Sequence, residues 1–408
     1  MKFTRLFSWG HRRANERSRT APVAAPVGDP GADLGAEPSE ASAASLACAT
    51  ATAEGIRSRS RDRSRGQSRF RARARRLLTI AGAGYLLWVA WGFWLLEWHA
   101  PALRDPEFGV RLERLQHQHR QNPHCPIWLI LGSSRSQMGL SPTAMMTTPM
   151  DPLVINFGIA GAGPQQQWLT LERLLESGVR PSGILLEILP AFLHNDAPME
   201  AQLPIARLSY ADRQRLADDF GDPQAVAQRW WLQRLAPMAA VRGAVLSRFA
   251  PYWLPYAGRL DGHWRVDAFG WNAYPQATIP EAERDSRTQK AIADYQPNWA
   301  DFRRSPGPDR ALHRLLQRCQ ELQIPVVLFR MPESPRFQAA APSAFAGQAD
   351  AEIAAIRREF PMPFVDALHW QPMDAAYLDG HHLLPAAAEA VSIRLAEACR
   401  TIGGWPRN

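Results

Sequence analysis

The stretch "PIWLILGSSRSQMGLSP", residues 126–142, decides how this chain is read. An apolar run from Ile127 stops at Gly132, and hydroxyls follow at Ser133, Ser134 and Ser136. Either a strand feeds an ordinary turn, or it delivers a nucleophilic serine to the edge of a sheet. An uninterrupted apolar run is what a strand buried on both faces looks like. Ser141 followed by Pro142 then reads as a helix N-cap and first helical position.

The same alternation repeats along residues 123–402. "PLVINFG" (152–158), "GILLEILP" (183–190), "IPVVLFR" (324–330) and "PFVDALHW" (363–370) are further candidate strands. Between them, "QQQWLTLERLLESG" places Trp168, Leu171, Leu174 and Leu175 on one helical face and Gly178 at its C-cap. "DRALHRLLQRCQELQ" does likewise with Leu312, Leu315, Leu316, Cys319 and Leu322. A helix near 348–359 and "PAAAEAVSIRLAEACRTIG", capped by Gly403, complete the series. Five strands alternating with helices predict an α/β fold, a parallel sheet covered on both faces. In such sheets ligands sit beyond the carboxyl ends of the strands, where Gly132 and the serines fall.

Residues 191–308 break the pattern. They hold Trp230, Trp231, Trp253, Trp264, Trp271 and Trp299 and no clean strand, so a helical and irregular insertion is expected there. Its aromatics are expected to form a small core of their own; the sharper alternative is a lid, or a surface for membrane or sugar.

The N-terminal part differs in kind. Residues 1–76 are mostly Ala, Ser, Pro, Gly and Arg, too poor in apolar surface to offset ordering entropy, and are expected to be disordered. They carry 16 Lys/Arg against 7 Asp/Glu, or +9; the whole chain is +8, which leaves −1 for residues 77–408. After this basic tract come 20 residues without a charge, Leu77–Leu96. At 1.5 Å per residue they span about 30 Å, one hydrocarbon core. Trp91, Trp94 and Trp98 lie near the far end, as an aromatic belt would. A single transmembrane helix over 77–97 is therefore expected, followed by a juxtamembrane linker over 98–122. The arginines put the tail in the cytoplasm and the remainder outside the inner membrane. They need no nucleic acid to explain them, though they can touch anionic lipid. Cys48 falls inside; Cys125, Cys319 and Cys399 fall outside, allow at most one bridge within the chain, and show no metal spacing. No cofactor motif is complete: "AGAGP" (160–164) lacks the full dinucleotide fingerprint.

A serine needs a base and an oxyanion site. The base is offered late in the chain, in "YLDGHHLLP" (377–385), where Asp379 and His382 stand three residues apart on a loop before the last helix. One turn brings that carboxylate to the imidazole, fixing its tautomer. Glu187 and Asp366, near strand ends, are expected to serve as structural hydrogen-bonding groups.

With "GSS" (132–134) after the first strand, "NFGIAG" (156–161) after the second and "DGHH" (379–382) before the last helix, the chain resembles the SGNH (GDSL-like) hydrolases. The membrane-anchored branch that includes D-alanyl transfer and alginate O-acetylation proteins is the most similar. The resemblance implies a three-layer, flavodoxin-like five-stranded sheet. It implies Ser134 as nucleophile, His382 as base and Asp379 as its orienter. It also implies an oxyanion site from the N–H groups of Ser134 and Gly161. Ser133 stands where the family has Asp, and His381 is expected to point away. One block departs: Pro190-Ala191 occupies the place of the family's Gly-x-Asn-Asp. Either Asn195 reaches back or the hole has two backbone donors, and a missing donor costs about 2.7–4 kcal/mol of transition-state stabilisation. The implied function is esterase or O-acyltransferase chemistry on acyl esters of envelope glycans, acetyl esters first among them. A membrane-bound acyl-donor protein would be its partner. The alternative is a catalytically weak scaffold of an envelope machine.

Overall fold

The computed structural model describes residues 45–194, 197–255, 259–300, 302–403 and 405. The chain divides into two compact units, Met1–Trp88 and Val89–Asn408. In the first, every described residue is helical, within a helix that runs Ser45–Trp94. A π-helical turn, Leu95–His99, ends it. Phe70–His99, mean hydropathy 1.5, is long and apolar enough to cross a membrane. Residues 45–76 are helical and continuous with the apolar segment. Lack of a core bars a tertiary fold, but Ala and Arg are strong helix formers and no proline interrupts residues 39–100. The rest of the expected tail, residues 1–44, lies outside the described residues.

The second unit is built on five parallel strands: β1 Ile127–Leu131, β2 Leu153–Asn156, β3 Gly183–Glu187, β4 Val326–Arg330 and β5 Phe364–Asp366. Their order is β2-β1-β3-β4-β5, the flavodoxin-like arrangement, with Ile130 beside Asn156 and Leu131 beside Leu186. Alternate residues feed two cores. Leu129, Ile155, Leu186 and Leu328 pack with Leu171 and Leu174 of the Pro164–Glu176 helix and Leu312 and Leu315 of the Pro306–Glu321 helix. Trp128, Ile130, Leu185 and Phe329 pack with Val391, Leu395 and Cys399 of the Pro385–Thr401 helix. Three layers result. At Gly183 a Cβ would fall 2.2 Å from the Trp128 ring, so the strand contact itself requires glycine. Cys125, Cys319 and Cys399 are free thiols, and burial pushes those of Cys319 and Cys399 up to about 12.

Two expectations are corrected. Residues 98–122 are no linker. They form the helices Pro101–Arg104 and Pro106–Gln121, and Phe108, Leu112 and Leu115 join the main core. Charged residues at the turn and in the second helix hid this packing: Asp105, Glu107 and Arg111 are all buried. Nor do the tryptophans of 191–308 make a core of their own. Trp230 packs into the main core, Trp271 against the opposite one, and Trp299 against Phe337.

A buried ionic cluster binds this insertion down. Arg173 holds Asp105 and Asp212, each at 2.8 Å, and Arg207 reaches Glu107 at 3.2 Å. Burial alone would raise the Asp212 carboxyl, but the charge and hydrogen bonds of Arg173 outweigh it and hold it well below the ordinary range. A folded-state pKa below the unfolded value gives stability that is fully present above about pH 4 and is lost as pH falls toward the folded value. Removing one partner of such a cluster leaves buried charge uncompensated. Arg173→Ala is expected to lower the unfolding free energy of the detergent-solubilised chain at pH 7 by about 3–5 kcal/mol in guanidinium titrations. A loss under about 1 kcal/mol would show the cluster to be as weak as a surface pair.

Candidate active site

The carboxyl ends of β1 and β3 flank the point where the strand order reverses, which is where ligands bind in open α/β sheets. β1 ends in Gly132, and its close surroundings explain the residue. A Cβ at 132 would lie 2.3 Å from both Glu187 Oε2 and Ser136 Oγ. The three serines then separate by environment. Ser133 is buried, donates its N–H to Glu187 Oε2 at 2.6 Å and its hydroxyl to Oε1 at 3.0 Å. The same hydroxyl accepts the Arg135 N–H and caps the short helix Ser134–Gly139. Ser136 is buried and donates to Glu187 Oε2 at 2.5 Å. Ser134 alone stays half-exposed.

Its partner comes from the loop after β5. The backbone reverses at Gly380, φ 88°, where Leu378 N–H donates to His382 C=O and Tyr377 bridges Leu383. That turn folds Asp379 against His382. Asp379 Oδ1 accepts the His382 backbone N–H at 3.0 Å, and Oδ2 lies 2.8 Å from His382 Nδ1. Nδ1–H donating to the carboxylate leaves Nε2 as acceptor. Nε2 stands 2.8 Å from Ser134 Oγ. The structure therefore brings Ser134, His382 and Asp379 into one hydrogen-bonded chain. Burial opposes ionisation of Asp379, but the two imidazoles and the His382 hydrogen bonds win and hold its carboxyl well below the usual range.

The other expected site residues have distinct settings. Gly161 lies in the loop after β2 at φ 75°, and a Cβ there would meet nothing within 4 Å. Ile159 N–H ties this loop to Gly132 C=O at 3.0 Å. Among the described residues, neither the Ser134 nor the Gly161 N–H has an intramolecular acceptor. Asn156 binds the Ser136 and Leu140 carbonyls and Gly158 N–H, so it holds the serine turn in place. Asn195 lies outside the described residues. Pro190 opens a short helix, Pro190–Leu193, directly after β3, and His194 turns to the Arg303 carbonyl at 2.9 Å. Glu187 and Asp366 are both occupied structurally, the latter by Arg330.

His381 makes no hydrogen bond to Ser134 among the described residues. It is buried between the Tyr295 and Phe337 rings, its own ring 4.1 Å from that of His382. Burial pushes its pKa well below the ordinary value, against the pull of Asp379. Arg135, next to the half-exposed serine, is also buried, paired with Glu333 at 2.5 Å and lying over the Tyr295 ring at 5.2 Å. Sequence reading missed this wall, because Tyr295 and the segment holding Glu333 and Phe337 lie far from Arg135 in the chain; the only signal was an arginine in "SRS". It missed Glu107 too, whose carboxylate accepts Ala160 N–H and Gln137 Nε2 beside the Gly161 loop. Asp379, His381 and His382 place ligand atoms within 4.8 Å of one another, a spacing a metal could use, but His382 spends both nitrogens on Asp379 and Ser134.

No family model matches the chain, and no curated protein matches it. Among solved structures it is similar to a candidate acylhydrolase from Bacteroides fragilis, at 10% identity and a TM-score of 0.31, over 71% of this chain and 96% of that one. So loose an overlap says nothing of function, which has to be read from the side chains.

The crowding at Gly132 sets a test of the local geometry. Gly132→Ala is expected to cost about 1–3 kcal/mol of stability through overpacking against Glu187. Gly347→Ala, on an open helix surface with nothing within 4 Å of the added methyl, is expected to gain up to about 1 kcal/mol. Equal effects at the two sites in thermal unfolding would contradict the packing described.

Proposed function

We propose that this chain is a membrane-anchored serine enzyme of the SGNH type that cleaves or transfers acyl groups. The observation that carries this is the continuous hydrogen-bonded chain Ser134 Oγ–His382 Nε2, His382 Nδ1–Asp379 Oδ2, both links 2.8 Å. A serine hydroxyl becomes a competent nucleophile when a positioned imidazole takes its proton. Ser134 Oγ attacks an ester carbonyl carbon while its proton passes to His382 Nε2. Asp379, held ionised, stabilises the imidazolium through Nδ1–H. The oxyanion is received by the N–H groups of Ser134 and Gly161. Collapse expels the alcohol, which takes the proton from His382, and leaves an acyl ester on Ser134. Water or an acceptor hydroxyl, deprotonated by His382, resolves it.

Acceptor and location are inferred from the surroundings. The apolar segment within Phe70–His99 serves as the anchor, with the basic tail cytoplasmic and the catalytic unit outside the inner membrane. An anchored site can be fed by a membrane-bound acyl-donor protein, and acyl groups of envelope glycans, acetyl first among them, are the substrates. An oxyanion hole short of one donor, as the departure at Pro190 implies, slows attack by water and by an acceptor hydroxyl alike.

A fluorophosphonate probe on the full chain tests the chemistry. Labelling is expected in the parent protein and in Ser136→Ala, and is expected to vanish in Ser134→Ala. Asp379→Asn is expected to slow it on the order of 10³–10⁴-fold. A folded parent protein that takes no label would leave the non-catalytic scaffold as the better account.

A further inference from the structure

The insertion carries a surface that acyl chemistry does not use. We infer that the helices Pro223–Leu235 and Pro237–Phe249, with the turn Pro251–Trp253, form a second membrane contact, a platform seated in the headgroup region of an anionic bilayer beside the anchor. This rests on the membrane-anchored function proposed above.

Three independent features point to lipid. The first is apolar exposure. Phe249, Tyr252 and Trp253 are 73%, 84% and 80% exposed, and Trp231, Leu232 and Met238 are exposed earlier in the same pair of helices. Single exposed apolar residues are ordinary; a run of large ones on one hairpin marks an interaction surface. The second is charge. Residues 223–260 hold five arginines and no acidic residue. Arg234 turns inward onto Glu97, while Arg229, Arg242 and Arg248 face solvent. The Arg248 guanidinium lies 5.5 Å from the centre of the Phe249 ring and that of Arg259 5.2 Å from the Tyr252 ring. Aromatic bodies flanked by arginines are the composition of an interfacial helix, with rings at the acyl boundary and cations at the phosphates. The third is continuity with the anchor. Gly92 and Phe93 lie in the last turns of the apolar stretch that ends at Leu96. A Cβ at Gly92 would fall 2.6 Å from Pro237, the first residue of the second helix. Phe93 stacks on Trp231 with centroids 6.3 Å apart and meets Trp230 edge-on at 6.1 Å. One turn later Glu97 pairs with Arg234 at 3.0 Å. The hairpin therefore begins against the last turns of the apolar stretch. A lipid surface fits all three features; a protein partner would account for the exposure but not for the junction with the anchor.

Two contacts, one spanning and one lying flat, would restrain tilt as well as distance, and so keep Ser134 at a fixed attitude to the membrane. The test uses the full chain in vesicles of phosphatidylcholine and phosphatidylglycerol, with Cys48→Ser and Cys125→Ser as background, since Cys319 and Cys399 are buried. An environment-sensitive fluorophore is placed singly by Phe249→Cys, Tyr252→Cys, Leu87→Cys in the anchor, or Arg358→Cys on an exposed helix far along the chain. Lipids carrying a nitroxide near the headgroup are expected to quench positions 249 and 252 several-fold more than 358. Arg242→Glu with Arg248→Glu, or removal of phosphatidylglycerol, is expected to reduce that difference. Quenching at 87 by deep nitroxides, with 249 and 252 no more quenched than 358, would overturn the platform and leave the anchor standing. No quenching at 87 either would overturn the anchor and the platform together. Blue-shifted emission at 249 and 252 without quenching would assign the surface to protein contact and overturn the lipid assignment.

Discussion

The carboxylate of Glu187 is the constraint on which the site depends. It stands at the last position of the central strand β3 and accepts three hydrogen bonds from the turn after β1. Two of these occupy the hydroxyls of Ser133 and Ser136, so two of the three hydroxyls in "GSSRS" are consumed in holding the turn. Ser134 is left as the hydroxyl free to meet His382. Such an arrangement is demanding: a buried carboxylate losing one donor leaves a polar group unsatisfied. Gly132 belongs to the same constraint, because any side chain there would occupy the space of the carboxylate.

A second set of buried charges lies between the end of the apolar helix and the site. Glu97, just past the apolar segment, holds Arg104 and Arg234. Asp105 and Asp212 share Arg173, and Arg207 bridges to Glu107. Glu107 in turn accepts Ala160 N–H next to Gly161, and Gln137 of the serine helix. Buried ion pairs are weak sources of net stability, but removing one partner leaves an uncompensated charge and is strongly destabilising. Here they fix the segment after the apolar helix and the Trp-rich insertion onto the sheet, and they support the loop that carries Gly161.

The features legible in the sequence are those whose signals are local. The strands showed as apolar runs, the caps at Ser141 and Gly178 as single residues, and the Asp379–His382 pair as one turn. These depend on neighbours along the chain. The segment 98–122 read as a linker because its buried residues are charged, and their partners Arg173, Arg207 and Asp212 lie far away in sequence. The aromatic wall around Arg135 and His381 was hidden for the same reason. Helix over residues 45–76 was masked by composition, since a tract with no core to build can still propagate as a single helix. Resemblance to the SGNH pattern named Ser134, His382 and Asp379, whereas its third block pointed to nothing that the described residues contain.

The central claim is that Ser134, His382 and Asp379 act as one unit, and non-additivity tests it most directly. Turnover of 4-nitrophenyl acetate would be measured for Ser134→Ala, His382→Ala, Asp379→Asn and the combination Ser134→Ala with His382→Ala, each in full-length folded protein. Members of a working triad lose about as much singly as together. The double variant is therefore expected to be no slower than the slower of its two single variants. Losses that multiply, or a Ser134→Ala protein that turns over at the parent rate, would contradict the account.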